Sequence, residues 1–158
     1  MMPVILLIGR ICSGKTTHAR EIMAEKQPSV LLSGDELMQA LFPDPLGEQY
    51  DVYAARCKLY LYQQARQLAA QGVTPVLDWG FWSREDRREA VQALAGLELD
   101  WRYVDISPEE WRRRIEIRNS AVLDGQAGPE TYYVDEGLLR KLESRFEEPD
   151  EIPGLTRV

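Results

Sequence analysis

Short runs of apolar residues alternate along the chain with longer segments in which apolar residues recur at helical spacing. The run Val4–Ile8 is apolar on both faces, which predicts a fully buried strand. Further strands are predicted at residues 29–33, 74–78 and 101–106, with a short edge strand at 155–158. The helices predicted between and after them cover about 15–26, 35–41, 52–71, 84–94, a segment from 108 onward, and 134–146.

This alternation defines the expected architecture. Strands that alternate with helices form a parallel sheet through right-handed crossovers. The pattern therefore predicts a three-layer α/β sandwich around a parallel, mostly buried sheet of four to five strands, in one domain spanning 1–158. Several helix boundaries are marked by their chemistry. Ser83 and Asp86 have the spacing of a capping box, and Ser107 followed by Pro108 is typical of a helix start.

Composition and charge narrow the classes of function. The 158 residues are 44% hydrophobic and 28% charged, and the net charge of −7 argues against a broad nucleic-acid-binding face, which must be basic. No apolar run approaches the ~20 residues of a membrane span, and no secretory signal opens the chain. A cytoplasmic monomer or weak dimer is expected. Cys12, Cys57 and the single His18 match neither a zinc site nor a disulfide framework.

The strongest chemical signal directly follows the first strand. Gly9, Gly14, Lys15 and Thr16 fit the pattern G-x-x-x-x-G-K-T, placed between a buried strand and a helix. Glycines allow backbone N–H groups to surround phosphate oxygens, and the start of the helix adds positive potential. We expect Lys15 to contact the β and γ phosphates of ATP and the hydroxyl of Thr16 to bind Mg²⁺. Ser13 and Thr17 complete the predicted nucleotide-binding set.

Two aspartates follow other predicted strands, at the edge where ligands bind in open α/β sheets. Asp35 is placed to accept the proton of an attacking hydroxyl, or alternatively to cap the next helix. Asp78 is placed to contact a Mg²⁺-bound water, or alternatively to form a turn. Beyond it, Gly80 would permit close approach of a substrate, and Trp82 would line the acceptor pocket or belong to the core.

Arginines cluster in the segment that follows the fourth predicted strand. Arg114 and Arg118 are four residues apart and share one helix face. Phosphoryl transfer requires cations around the developing negative charge, and a mobile lid often supplies them. We therefore predict a small helical lid at about 112–129. The alternative is a solvated helix face whose arginines pair with neighbouring glutamates.

These residues together resemble the P-loop kinases grouped as an AAA-type ATPase family. That group is close to chloramphenicol phosphotransferase, zeta toxin, the gluconate and shikimate kinases and the kinase domain of polynucleotide kinase. The resemblance rests on the segments GRICSGKT, SGDELMQALF, LDWGFWSREDR, RIEIRN and the RFEEP tail. It implies a nucleoside-kinase-like P-loop NTPase fold in which Asp35 is the general base and Arg114 and Arg118 are lid arginines. It also places Arg87 among the substrate residues.

The leading hypothesis is an ATP-dependent kinase that phosphorylates a hydroxyl of a metabolite or antibiotic. A polynucleotide or nucleoside 5′-hydroxyl kinase is the first alternative. Met38 stands where polynucleotide kinase has an arginine, and this departure, like the acidic net charge, counts against a nucleic-acid acceptor. The second alternative is an ATP-binding regulatory module with slow ATPase activity.

Overall fold

A parallel sheet forms the centre of the computed structural model, which describes residues 1–128 and 132–158. Its strands occur in the spatial order β2-β3-β1-β4-β5, and every pairing between them is parallel. The strands are β1 (Val4–Ile8), β2 (Ser29–Leu32), β3 (Thr74–Gly80), β4 (Leu99–Tyr103) and β5 (Thr156–Arg157). The helices are α1 (Lys15–Glu25), α2 (Gly34–Leu41), α3 (Tyr50–Ala70), α4 (Arg84–Ala93), α5 (Pro108–Leu123) and α6 (Glu136–Arg145). The predicted fold class is confirmed.

Alternate residues of β1 separate the core into two layers. Every side chain of this central strand is fully buried. Ile5 and Leu7 pack with Ala19 and Ile22 of α1, whereas Val4, Leu6 and Ile8 belong to the cluster that contains residues of α3 and α4. A third cluster joins α5 to α6 through Trp111, Ile115, Val134, Leu139 and Leu142. Because β1 is buried on both faces, the loop after it starts from a rigid strand.

Pairing between strands moved several predicted boundaries. β3 continues to Gly80, two residues beyond the prediction, because Ile8 of β1 pairs with Gly80 after an irregularity in the register. β4 begins at Leu99, opposite Val4, and ends at Tyr103, opposite Ile8. The predicted strand, 101–106, therefore began two residues too late and ended three residues too late.

Polar side chains begin most of the helices as the sequence indicates. The capping box formed by Ser83 and Asp86 is present, and Ser107 accepts a hydrogen bond from the backbone N–H of Glu110. The cap of α2 is Ser33, whose hydroxyl accepts from the N–H of Glu36. Asp35 lies inside the first turn of α2, so it is not the capping residue and its carboxylate is available for other contacts. In the described ranges, no helix is long and apolar enough to cross a membrane.

Candidate phosphate-binding loop and acceptor cleft

The candidate site lies where the parallel strands end. The loop after β1, Asp78 near the end of β3 and Asp35 just after β2 come together because the carboxyl ends of parallel strands meet at one edge. A cavity of about 310 Å³ is bounded by the loop and a larger cleft of about 880 Å³ extends beyond it. Cys12, Lys15 and Thr16 line both spaces, so the two are contiguous.

The loop after β1 has the backbone of a phosphate cradle. Gly14, directly before α1, has a φ of 101°, which glycine adopts without strain. A Cβ on Gly9 would come within 2.7 Å of Ser13 Oγ and 2.9 Å of Lys15 Cγ, so a side chain there would displace the side chains of Ser13 and Lys15. Ser13 Oγ is buried without a hydrogen-bond partner among the described residues. An unpaired polar atom in such a cradle fits the binding of an oxygen-rich ligand.

Lys15 lies folded across the loop. Its Nζ donates to the carbonyl of Gly9 at 3.0 Å and is 3.4 Å from the carbonyl of Arg10. Burial lowers the pKa of Lys15, although the negative charges of Asp78 and Asp35 oppose this shift. A polyphosphate bound beside the ammonium would favour its charged form, because an opposite charge nearby stabilises it.

Side chains from other elements hold the carbonyl side of the loop. Trp82 Nε1 donates to the carbonyl of Gly9 at 3.0 Å, and Trp111 Nε1 donates to that of Ile11 at 2.8 Å. Arg114 Nη1 donates to the carbonyl of Cys12 at 3.3 Å. Cys12 itself has a φ of 58°, which is unusual for a residue other than glycine. Because its carbonyls are held from outside, the loop is kept open for a ligand before one binds.

Arg10 is a loop residue that sequence reasoning missed. Its guanidinium lies 4.1 Å from the ring centroid of Phe146 and 5.6 Å from that of Trp111. It also donates to Tyr103 Oη at 3.5 Å and forms an ion pair with Glu148 at 3.7 Å. These partners come from β4, α5 and the segment after α6, and no local pattern in the sequence connects them.

The larger cleft brings together the predicted groups for phosphoryl transfer. Asp35, Asp78 and Arg118 line it, together with Lys15 and Thr16 at its boundary with the loop. Burial raises the pKa of Asp78; Lys15 opposes the shift, and the charges of Asp35 and Glu36 add to it. Lys15, Asp35 and Asp78 thus line one cleft, and their charges influence one another there.

The donor set at this boundary fits Mg²⁺. The ion prefers oxygen ligands and keeps several waters, so a threonine hydroxyl, a nearby carboxylate and phosphate oxygens suffice. Thr16 and Asp78 supply the protein oxygens, and both line the cleft. Within 1–128 and 132–158, no group of three histidine, cysteine or acidic side chains could hold a metal alone. An ion here would therefore depend on the phosphates for its remaining ligands.

Three predicted substrate residues do not line the cleft. Gly80 approaches the phosphate loop instead of a substrate: a Cβ there would lie 2.3 Å from Trp82 Nε1 and 3.3 Å from the carbonyl of Gly9. Trp82 is turned toward the same carbonyl, with which it makes its hydrogen bond. Both residues support the loop, contrary to their prediction as acceptor contacts. β3 extends two residues farther than predicted, which brings Gly80 beside Ile8 and the start of the loop.

Arg87 is the third of these residues and is buried in the interior. Its guanidinium is 2% exposed and donates to Glu151 Oε1 at 2.5 Å and to the carbonyl of Phe81 at 2.8 Å. Weaker bonds reach the carbonyls of Trp82 and Glu148. With its donors engaged in this way, Arg87 ties α4 to the C-terminal segment, so the assignment to substrate binding was wrong.

The two predicted lid arginines face the loop from α5. Arg118 Nη1 lies 3.5 Å from Cys12 Sγ, and its guanidinium lies 4.8 Å from the ring centroid of Tyr132. Arg114 is held by the carboxylate of Glu110 at 3.0 Å in addition to the carbonyl of Cys12. The helix that carries them is anchored by Trp111 in the third core cluster and by Asn119, which bonds both backbone groups of Val134.

The predicted lid at 112–129 therefore begins inside an anchored helix. Beyond Asn119, α5 ends at Leu123 and Gly125 takes a φ of 70°. Exposed residues occur on both sides of Asn119, including Arg112 and Arg113 before it and 123–126 after it. Pro129, the predicted end of the lid, lies outside the described residues. In this structure Arg114 and Arg118 already stand beside the loop, so no movement from residue 112 onward is needed to bring them there.

The parallel sheet and the loop after β1 define a P-loop protein of the α/β class. The chain belongs to the AAA domain family, whose model matches residues 4–149. Among solved structures, Kti12 of Chaetomium thermophilum in complex with ADP-AlF3 is similar at 20% identity and a TM-score of 0.72, over 99% of this chain and 88% of that one. The APS kinase CysC of Mycobacterium tuberculosis, solved with AMPPNP and APS, is 21% identical with a TM-score of 0.66, over 99% and 87%.

A gluconokinase of Sinorhizobium meliloti is also similar, at 17% identity and a TM-score of 0.61, over 99% of this chain and 81% of that one. Curated protein sequences give no significant match. At these identities the similarity establishes the fold, and the reaction must be argued from the site.

Proposed function

We propose that this protein is an ATP-dependent kinase that transfers the γ-phosphate to a hydroxyl of a small molecule. The observation that carries the proposal is the continuity between the loop cavity and the cleft, with Lys15 and Thr16 at their boundary. A protein that only bound or hydrolysed ATP would need the first space alone. The second is lined by Asp35, whose carboxylate has no ion-pair partner among the described residues and would be available to an acceptor hydroxyl bound there.

The residues support a direct transfer. The acceptor oxygen forms a bond to the γ-phosphorus, the bond from that phosphorus to the β–γ bridging oxygen breaks, and ADP leaves. Asp35 accepts the proton of the hydroxyl. Lys15, Arg114 and Arg118 balance the charge on the transferred group, with Gly9, Ser13, Gly14 and Thr17 completing the phosphate contacts. Thr16 and, through a water, Asp78 would hold the Mg²⁺ that accompanies ATP, and the ion would offset negative charge on the phosphates.

Asp35→Asn tests the assignment of the base. The amide cannot accept the proton, so transfer should fall by about 10²- to 10⁴-fold while the affinity for Mg·ATP stays within about twofold. Transfer is measured as ADP release in a panel of sugars, aminoglycosides, other antibiotics, nucleosides and oligonucleotides with 5′-hydroxyls. Asp51→Asn, an exposed aspartate of α3 that does not line the cleft, is the matched control.

The outcomes separate the alternatives. Retained transfer in Asp35→Asn would remove Asp35 as the base. A response only to oligonucleotides would favour a polynucleotide kinase. ADP release that no acceptor accelerates would favour a regulatory module with slow ATPase activity.

A further inference from the structure

We propose that the acceptor is an alcohol that carries a positively charged nitrogen, such as an amino sugar or a quaternary amino alcohol. This inference rests on the proposed kinase function and concerns the acceptor end of the same cleft. Three features carry it: the charge of the cleft wall, the absence of ion pairs along that wall, and an exposed aromatic ring beside the carboxylates.

The wall built by α2 and the turn after it carries only negative charge. Asp35, Glu36 and Asp44 line the cleft from this wall, and none of the cleft residues between positions 33 and 50 is a lysine, arginine or histidine. The two cations that line the cleft, Lys15 and Arg118, contact the phosphate loop at Gly9 and Cys12. The acceptor end thus differs in charge from the phosphate end.

These wall carboxylates are not neutralised within the protein. Along the described chain, Asp35, Glu36 and Asp44 have no lysine, arginine or histidine nitrogen within 4.0 Å, whereas Glu110 and Glu151 each pair with arginines. An anionic acceptor would therefore meet repulsion without a counter-charge. All three side chains are exposed. A cationic acceptor would supply the opposite charge that the wall lacks, and it would cover these carboxylates from solvent only where it lies against them.

Aromatic rings complete the surroundings expected for an organic cation. Tyr50 lines the cleft and is 48% exposed. Tyr50 and Asp35 line the same cleft. Burial and the nearby charge of Asp35 raise the pKa of the Tyr50 hydroxyl, so the ring stays neutral. Phe42, also in the wall, stacks on Tyr53 with ring centroids 4.8 Å apart. A ring face next to carboxylates attracts a protonated or quaternary nitrogen through cation–π and ionic interactions together.

The cleft also has the size for such an acceptor. Its volume of about 880 Å³ lies in the range of pockets that hold drug-sized ligands and exceeds the needs of a phosphate group. Glu36 and Asp44 line the cleft, and neither lines the cavity bounded by the phosphate loop. They are therefore placed to orient a nitrogen remote from the reacting hydroxyl, leaving Asp35 for the proton.

The test compares acceptors of matched size and different charge. Glucosamine, glucose and gluconate form one set, and choline with its neutral carbon analogue 3,3-dimethylbutan-1-ol forms another, each assayed by ADP release with Mg·ATP. We expect kcat/KM for the amine to exceed that for the neutral compound by about tenfold or more in at least one set. Equal or better turnover of the neutral or anionic compounds in both sets would overturn the inference and leave the kinase assignment intact.

Variants of the wall carboxylates test whether Glu36 and Asp44 cause the preference for a cationic acceptor. In Glu36→Gln/Asp44→Asn, the KM for the amine acceptor should rise about tenfold, with kcat and the KM for ATP within about twofold. The KM for neutral acceptors should not change. Glu48→Gln removes the same charge from an exposed residue outside the cleft and should change nothing. A KM for the amine that is the same in the double variant as in the wild type would overturn the inference.

Binding separates this inference from the kinase assignment. Kanamycin is titrated calorimetrically into the protein with Mg·ADP. If no acceptor stimulates ADP release, the kinase assignment fails. In that case, kanamycin binding that is about tenfold weaker in the Glu36→Gln/Asp44→Asn variant would still support a site for a cation. No binding, or binding insensitive to Glu36 and Asp44, would overturn it.

Discussion

Lys15 is a buried residue that lowers the stability of the fold when charged and that we propose to be required for phosphoryl transfer. Burial lowers the pKa of its ammonium, which means that the folded protein disfavours the charged form. Its only hydrogen bonds among the described residues are to the carbonyls of Gly9 and Arg10, both in the loop that it serves. In the proposed kinase, the free energy lost by holding a cation there would be recovered on binding of the ATP phosphates.

Lys15→Ala should therefore separate activity from stability. We expect kcat for phosphoryl transfer to fall by about 10²- to 10³-fold, because a cation at the transferring group is lost. The urea midpoint should stay unchanged or rise, since the variant no longer buries the ammonium. Lys26→Ala, at an exposed lysine directly after α1, is the control and should alter neither quantity. Unchanged turnover in folded Lys15→Ala would contradict the assignment of the loop.

At the scale of an element, α5 joins the phosphate loop to the rest of the domain. One face carries Trp111 and Ile115 into the third core cluster, and an adjacent face directs Arg114 and Arg118 to Cys12. Arg112, on the outer side, pairs instead with Glu143 of α6 at 3.3 Å. Neighbouring arginines of one helix thus have different roles because the helical repeat turns them in different directions.

Arg118→Ala should lower kcat more than it raises the KM for ATP. The guanidinium stands beside the loop, where negative charge develops during transfer, so its loss is felt mainly in the transition state. We expect about a 10²-fold loss in kcat and less than a fivefold change in KM, measured by ADP release with a saturating acceptor. Arg112→Ala is the matched control and should stay within about twofold. Equal losses in both variants would indicate an ordinary charged helix face.

At the scale of the whole molecule, Arg87 links α4 to the segment that leads into β5. Its neighbour Arg88 is exposed and pairs with Glu85 on the same helix. Arg87→Ala would leave the buried carbonyls of Phe81 and Trp82 without these hydrogen bonds and Glu151 without its partner. We expect a loss of about 3 kcal/mol in the free energy of unfolding, whereas Arg88→Ala should cost less than about 0.5 kcal/mol. Urea titration measures both.

The same link gives a pH dependence. Burial opposes ionisation of Glu151, but the hydrogen bonds from Arg87, a backbone hydrogen bond and the charges of Arg87 and Arg84 together outweigh it and lower the pKa of this carboxyl below 4.5. A carboxyl with a depressed folded pKa contributes stability above 4.5 and loses it as the pH falls through the folded value. Wild-type stability should therefore fall more steeply than that of Arg87→Ala as the pH is lowered below 4.5. Parallel curves would show that the ion pair contributes no net stability.

The sequence determined what depends on local order. The buried strand Val4–Ile8, the loop motif and the caps at Ser83 and Ser107 are set by neighbouring residues, and each appears in the structure as predicted. Alternating strands and helices were sufficient to define a parallel α/β sandwich. Asp35, Asp78 and Arg118 were likewise found from their positions after strands or on one helix face, and the structure brings them into one cleft.

Tertiary structure alone decided the partners of side chains that contact residues distant in sequence. No residue near Arg87 in the sequence indicates that its guanidinium will bond to Glu151, 64 positions away. Likewise, no residue near Arg10 indicates that its guanidinium will lie over the rings of Phe146 and Trp111. The acidic wall of the cleft could not be predicted from the sequence either. Its residues line one cleft with the phosphate loop only because α2 and the turn after it pack near that loop. The spacing of residues along the chain determines which face of a helix or strand each side chain occupies. The packing of helices and strands against one another determines which residues that face contacts.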